Sequence, residues 1–125
     1  SDSFAGELPC AYVELVSGAE VGIDELMEHA RSHIHERAAV PKYIEILPEL
    51  PKTAVGKIFK PDLRRAAIAR VYDAALAEAG LAARVSEVVD DKKRGMIARL
   101  ARTGAVDDQA VADLLGQFTR PWEWA

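Results

Sequence analysis

The sequence is poor in cysteine and aromatic residues, and it contains no long apolar run. Its single cysteine, Cys10, excludes an internal disulfide and a cysteine-rich zinc site. No stretch approaches the ~20 apolar residues that a membrane-spanning helix needs, and the first residues do not resemble a signal peptide. The formal net charge of -4 gives no indication of a nucleic-acid partner. We therefore expect a cytoplasmic protein with no membrane span and no nucleic-acid partner.

The first half of the chain predicts a strand, a helix and a second strand. Residues 11–16 alternate with a period of two, residues 23–37 carry apolar side chains at helical spacing, and residues 43–47 are rich in β-forming residues. Val40-Pro41 ends the helix, because proline cannot continue it. A strand, a helix and a strand in this order predict a right-handed crossover between two parallel strands.

The second half is predicted to hold a helix over residues 61–79, strands over residues 83–90 and 96–102, and a helix over residues 107–117. Gly80 is a typical helix stop, and Asp107 is suited to cap the last helix. Trp122 and Trp124 must pack back on the fold or lie at an interface. The order β-α-β-α-β-β-α predicts an α+β fold, a small mixed β-sheet with helices packed against it.

The most informative stretch lies between the second strand and the helix over residues 61–79. It reads Leu50-Pro51-Lys52-Thr53-Ala54-Val55-Gly56-Lys57-Ile58. Gly56 indicates a backbone conformation or a close approach that a side chain would prevent. Lys57 precedes the apolar Ile58, so the stem of its side chain can be anchored while the ammonium projects outward. A Gly-Lys pair by itself is most often a solvated turn.

The wider string is more specific. Leu50-Pro51-Lys52-Thr53-x-x-Gly56-Lys57-Ile58, continued by Phe59-Lys60-Pro61-Asp62-Leu63-Arg64, resembles the last signature of the adenylate-forming enzymes, and is closest to their acyl-CoA synthetase branch. Two upstream strings resemble parts of the same small C-terminal domain: Gly6-Glu7-Leu8-Pro9 with Ala11-Tyr12-Val13, and Val40-Pro41-Lys42. We therefore expect residues 1–79 to be a partial C-terminal domain of this family. Residues 80–125 are then a C-terminal extension, a β-hairpin plus a helix, packed on the same domain.

The resemblance implies a fragment of an acid–thiol ligase. In such enzymes a carboxylate attacks the α-phosphate of ATP, and coenzyme A then displaces AMP from the acyl-adenylate. Lys57 matches the catalytic lysine, whose charge opposes the negative charge that develops on the phosphate. Lys52 would support it, and Thr53 and Gly56 would shape the loop. The full enzyme would use ATP with Mg²⁺, CoA and a carboxylic acid, for which we expect a fatty acid. Its partner would be a large N-terminal ATP-binding domain of the same polypeptide.

Two expectations concern the chain as a whole. It begins without methionine and has no P-loop-like Gly-Lys-Ser/Thr, so we expect an inactive fragment that binds none of these cofactors alone. The alternative is a non-catalytic α+β binding or regulatory domain whose loop imitates the signature. A further hypothesis is that acylation of Lys57, which removes its charge, switches the parent enzyme off.

Two other clusters carry a weaker functional signal. His29 and His33 have the spacing of a metal-binding pair, but no third ligand is near in sequence, so we predict surface histidines and no metal site. Lys92-Lys93-Arg94 is predicted to be a solvated hairpin tip. The alternative for this basic cluster is contact with the 3'-phosphate of CoA or with the large domain.

Overall fold

The computed structural model describes residues 9–125, which form three α-helices and five strands. In chain order they are β1 (Cys10–Val13), α1 (Ile23–His33), a 3-10 turn (Arg37–Ala39), β2 (Tyr43–Ile46), α2 (Lys60–Glu78), β3 (Ala83–Asp91), β4 (Gly95–Arg102), α3 (Asp108–Leu115) and β5 (Trp122–Trp124). The α+β class and the predicted order are confirmed, and the structure adds β5 at the end. None of the described helices is both long enough and apolar enough to span a bilayer.

The strands lie in two small sheets, and the chain divides into two compact units. Of the described chain, the N-terminal unit holds residues 9–63 and the C-terminal unit holds residues 64–125. This division falls near the start of α2, whereas the resemblance ended the first region at residue 79. The assignment of residues 1–79 and 80–125 to a family domain and its extension stays a prediction.

The N-terminal unit is built on a parallel pair of strands. β1 pairs with β2 in parallel from Cys10↔Tyr43 to Val13↔Ile46, which confirms the predicted parallel pair. α1 carries acidic residues in its first turn and basic residues in its last, as the helix dipole favours. It ends at His33 rather than at residue 37, because Ile34 is already extended. Ile44, at 3% exposure, is the only fully buried residue that the structure describes in this unit.

The C-terminal unit has a continuous core between its sheet and its helices. β3 and β4 are antiparallel, and β5 lies parallel to β4 on the other edge of that strand. The core is formed by buried residues from α2, β3, β4 and α3: Ile68, Tyr72, Leu76, Ala83, Val85, Met96, Ala98, Leu100, Val111 and Leu115. Trp122 and Trp124 pack against this cluster, so the tail packs back on the fold.

The ends of the elements in this unit follow from local chemistry. α2 ends at Glu78, two residues before Gly80, whose φ of 70° is suited to glycine. The N–H of Leu81 donates to the carbonyl of Leu76 in the Schellman pattern. Asp107 caps α3, as predicted, by accepting a hydrogen bond from the N–H of Gln109 at 3.0 Å. In the β3–β4 turn, the Asp91 carboxylate accepts from two backbone N–H groups, and these bonds lower its pKa.

Candidate functional site

The stretch that carries Lys57 is a short β-hairpin rather than an irregular loop. The N–H of Phe59 donates to the carbonyl of Pro51 at 2.8 Å, and Lys52 and Ile58 form an antiparallel bridge. Nearer the tip, the N–H of Thr53 donates to the carbonyl of Lys57 at 2.7 Å. These cross-strand bonds fix the backbone on both sides of Lys57. We call residues 51–59 the lysine hairpin.

A tight turn closes the tip of the lysine hairpin. The N–H of Gly56 donates to the carbonyl of Thr53 at 2.9 Å, and Gly56 has a φ of +85°. No other residue type among those described has a positive φ, so Ala54 and Val55 fit a type I turn followed by a glycine bulge. A Cβ on Gly56 would meet no atom within 4 Å. The glycine is therefore needed for its left-handed backbone and not for a close approach.

The side chain of Thr53 also takes part in the turn. Its Oγ1 accepts a hydrogen bond from the backbone N–H of Lys57 at 3.2 Å. Thr53 thus contacts the peptide unit of Lys57 through its own N–H and through its hydroxyl. The position of the Lys57 backbone is determined within the hairpin itself.

The lysine side chain is exposed and forms no ion pair with any residue of 9–125. Its neighbours in the hairpin are exposed as well, with Val55 at 80%, Ile58 at 48% and Phe59 at 37% exposure. These three residues lie within five positions of one short hairpin, and exposed apolar patches are typical of surfaces that pack against another structure. The lysine hairpin thus presents two lysines, Lys52 and Lys57, that form no ion pair with the described residues, and exposed apolar side chains beside them.

The base of the hairpin is tied to the end of the first strand. The backbone N–H of Leu50 donates to Oε1 of Glu14 at 2.8 Å, and Glu14 directly follows β1. Glu14 is not among the residues predicted for the site from sequence. Its one sequence signal is its position at the carboxyl end of a strand that lies beside β2, from which the chain continues into the hairpin.

Among the four residues predicted for the site, Lys52, Thr53, Gly56 and Lys57 all lie in the lysine hairpin. Lys52 is exposed on the arm opposite Ile58. The structure therefore places the predicted residues together, and it gives Thr53 and Gly56 definite parts in the turn.

The two clusters set aside in the sequence analysis lie elsewhere. The exposed rings of His29 and His33 stack with centroids 4.0 Å apart, and Nδ1 of His33 donates to the carbonyl of His29. Within residues 9–125, no three His, Cys, Asp or Glu side chains come together as a metal ion would require. At the β3–β4 turn, Arg94 pairs with Glu123, and Lys92 is exposed.

Comparison with known proteins finds a family model that matches the first part of the chain, including most of the lysine hairpin. Residues 1–57 match the AMP-binding enzyme C-terminal domain, and the match ends on Lys57. This part of the chain is therefore similar to the C-terminal domains of the adenylate-forming enzymes, which supports the predicted resemblance.

Curated relatives that match the chain include two CoA ligases and an acetyl-coenzyme A synthetase by name. The chain is 51% identical over 69 residues to a marinolic acid–CoA ligase of Pseudoalteromonas sp. (strain SANK 73390), covering 55% of this chain and 11% of that protein. It is 48% identical over 59 residues to a long-chain-fatty-acid–CoA ligase of Bacillus subtilis (47% and 10%). It is 38% identical over 73 residues to an acetyl-coenzyme A synthetase of Mycolicibacterium smegmatis (56% and 8%).

The matched stretch thus spans about a tenth of the length of these relatives. No solved structure matches the chain.

Proposed function

We propose that this chain is part of an acyl-CoA ligase and that Lys57 is the residue that promotes adenylation of the carboxylic acid. The observation that carries the proposal is the exposed, unpaired ammonium on a hydrogen-bonded hairpin, in a segment that matches the family domain. A buried or neutralised lysine at this position would have opposed it.

The chemistry explains why one cation is decisive. An acid oxygen forms a bond to the α-phosphorus of ATP, the bond to the bridging oxygen breaks, and pyrophosphate leaves with the electron pair. Two anions approach each other, and negative charge shifts onto the phosphate oxygens in the transition state. A lysine ammonium held ~4 Å away is worth roughly 4 kcal/mol at an effective dielectric constant near 20, which corresponds to a rate factor of about 10³.

We propose no residue of this chain for binding ATP or the acid. We propose that a large N-terminal domain of the same polypeptide binds ATP and the acid, for which we take a fatty acid as the test substrate. Bound Mg²⁺ would neutralise phosphate charge there, and we assign no residue of this chain to it. The small domain would move between a pose that delivers Lys57 and a second pose for the attack of CoA. Alone, the fragment would have no activity.

The two half-reactions of the full-length ligase test this proposal. In the Lys57→Ala variant we expect ATP–pyrophosphate exchange to fall by about 10²–10³-fold, since the transition state loses its cation. Thioester formation from preformed acyl-adenylate should keep its rate. Lys93→Ala, which removes an exposed lysine of the C-terminal unit, is the matched control and should change neither rate.

Two outcomes would overturn the assignment of Lys57. Equal loss of both half-reactions would mean that the variant damages the protein rather than one chemical step. Loss of neither would favour the second candidate, a binding or regulatory domain whose hairpin only resembles the catalytic one.

A further inference from the structure

Two side chains of the N-terminal unit hold the lysine hairpin, one at its base and one at its tip. We propose that Glu14 and Thr53 are positioning residues for Lys57, which fix where the hairpin presents the lysine without touching substrate. This inference rests on the proposed role of Lys57. It assigns to Glu14 a part in the adenylation step.

The contact at the base joins parts of the chain that are far apart in sequence. Glu14 and Leu50 are 36 positions apart, and their hydrogen bond of 2.8 Å closes the segment between β2 and the hairpin. Just before this bond, the N–H of Leu47 donates to the carbonyl of Val13 at 2.8 Å. Residues 47–50 are therefore held along the end of β1. The last of these hydrogen bonds before the hairpin is the one that the carboxylate of Glu14 accepts from Leu50.

The contact at the tip acts on the lysine residue itself. Thr53 Oγ1 accepts from the N–H of Lys57, in addition to the backbone bond from Thr53 N–H to the Lys57 carbonyl. A valine at position 53 keeps the β-branched shape and the backbone bond but removes the acceptor. The peptide N–H of Lys57 would then turn to water, and the turn would be free to rotate the lysine away from its position.

Neither contact belongs to the core of the protein. Glu14 is exposed and Thr53 is half-buried, so replacing either leaves no large cavity. Small displacements nevertheless matter to chemistry, since an error of ~1 Å in placing a catalytic group can cost on the order of 10²-fold in rate. Variants at these positions should therefore change the rate of one step more than they change stability.

The experiment uses matched pairs of variants in the full-length ligase. Thr53→Val and Glu14→Met remove the acceptor, whereas Thr53→Ser and Glu14→Gln keep an oxygen that can accept. Glu20→Met is the control, because exposed Glu20 has no hydrogen bond or ion pair with other described residues. The readouts are kcat and KM for ATP in pyrophosphate exchange, thioester formation from acyl-adenylate, and Tm.

We expect Thr53→Val to lower kcat for exchange by about 10-fold and Glu14→Met by about 3-fold, with KM for ATP, thioester formation and Tm nearly unchanged. Thr53→Ser, Glu14→Gln and Glu20→Met should stay within about 2-fold of the parent. In a Lys57→Ala background, Thr53→Val should have no further effect, because a residue that acts through Lys57 has nothing left to position.

The results separate this inference from the proposed function. If Lys57→Ala abolishes exchange while Thr53→Val and Glu14→Met leave it intact, the positioning role is wrong and the catalytic role of Lys57 stands. Three other outcomes would also contradict the positioning role. The first is an equal loss of rate in both half-reactions, and the second is an equal loss in Thr53→Ser and Glu14→Gln. The third is a loss of exchange that adds to the loss caused by Lys57→Ala. If Lys57→Ala keeps full exchange, the proposed function itself fails.

Discussion

The two units of this chain use their apolar residues in opposite ways. Of the twelve buried apolar residues in the described chain, eleven lie in the C-terminal unit, and Ile44 alone lies in the N-terminal unit. All five exposed large apolar residues, by contrast, lie in the N-terminal unit: Val16, Ile23, Val55, Ile58 and Phe59. The C-terminal unit therefore has an apolar core, whereas the N-terminal unit exposes its large apolar side chains.

This difference shows what holds the candidate catalytic residue in place. The lysine hairpin is fixed by backbone bonds and by two side-chain acceptors, not by burial in a core. Segments with few buried contacts open at lower free energy than the core does, which agrees with the movement proposed for this segment. We therefore expect substitutions in the core of the C-terminal unit to lower stability. Substitutions in the lysine hairpin of the N-terminal unit should instead lower the rate of adenylation.

The largest effect on stability is expected from a cavity in the C-terminal unit. Leu76 in α2 is 0% exposed and belongs to the core cluster. Leu76→Ala should lower the free energy of unfolding by about 3–5 kcal/mol, while Ile44→Ala, in a sparsely packed unit that can relax around it, should cost about 2 kcal/mol. Urea unfolding of the chain, with Leu76→Met as the volume-conserving control, measures both. A larger cost at Ile44 would break the comparison between the two units.

A second effect concerns pH and the core tyrosine. The Tyr72 hydroxyl donates to the carbonyl of Arg120 at 2.6 Å, and burial raises the pKa of Tyr72 to about 12. Because the folded pKa lies above the ordinary value of 10, the neutral phenol stabilises the fold below pH 10, and this contribution is lost as the pH rises through about 12.

The stability of the parent relative to Tyr72→Phe should therefore fall by up to about 2 kcal/mol between pH 10 and pH 12. Chemical unfolding of both proteins at a series of pH values measures this difference, and lysine titration, common to both, cancels. A constant difference across that range would show that the phenol ionises as freely in the folded state as in the unfolded one.

A smaller effect is expected at the start of α3. Asp107→Ala removes the acceptor for the Gln109 N–H and should cost about 1 kcal/mol, whereas Asp107→Ser keeps a cap and should cost less. Thermal unfolding followed by circular dichroism distinguishes the two variants. Neither should alter pyrophosphate exchange in the full-length ligase, and a loss of exchange would link the C-terminal unit to the chemistry.

The smallest effect is expected at the tip of the β3–β4 hairpin. Lys92 and Lys93 are exposed, so the double change Lys92→Gln/Lys93→Gln should alter stability by no more than about 0.5 kcal/mol. The KM for CoA in the full-length ligase should also stay the same. A raised KM would support the alternative, contact of this basic cluster with the 3'-phosphate of CoA.

The elements were predictable from sequence where local chemistry determines them. The stop at Gly80 and the cap at Asp107 each follow from residues close together in the chain. The parallel strand pair follows from the order strand, helix, strand, in which each element shows its own local pattern. β5 was not predicted, because Trp122–Trp124 is too short to show a period and its pairing with β4 depends on tertiary packing. The early end of α1 was not predicted because Ile34 continues the apolar spacing although its backbone is extended.

The candidate site was predictable in part. The lysine, the glycine and their neighbours form one contiguous string, so the sequence alone placed them together. The hairpin geometry depends on cross-strand hydrogen bonds that no spacing reveals, and Glu14 reaches Leu50 across 36 positions. A contact of that kind leaves no local pattern.

The central claim is that a positive charge at position 57 promotes adenylation, and aminoethylation of a Lys57→Cys variant of the full-length ligase tests it most directly. The thiol variant should lose pyrophosphate exchange by about 10²-fold, and alkylation with 2-bromoethylamine, which rebuilds a lysine-like ammonium, should restore a large part of it. Parent enzyme treated in the same way controls for alkylation of Cys10 and other thiols. The claim would be contradicted if the untreated variant kept full exchange. It would also be contradicted if exchange did not recover after alkylation that mass spectrometry shows to be complete.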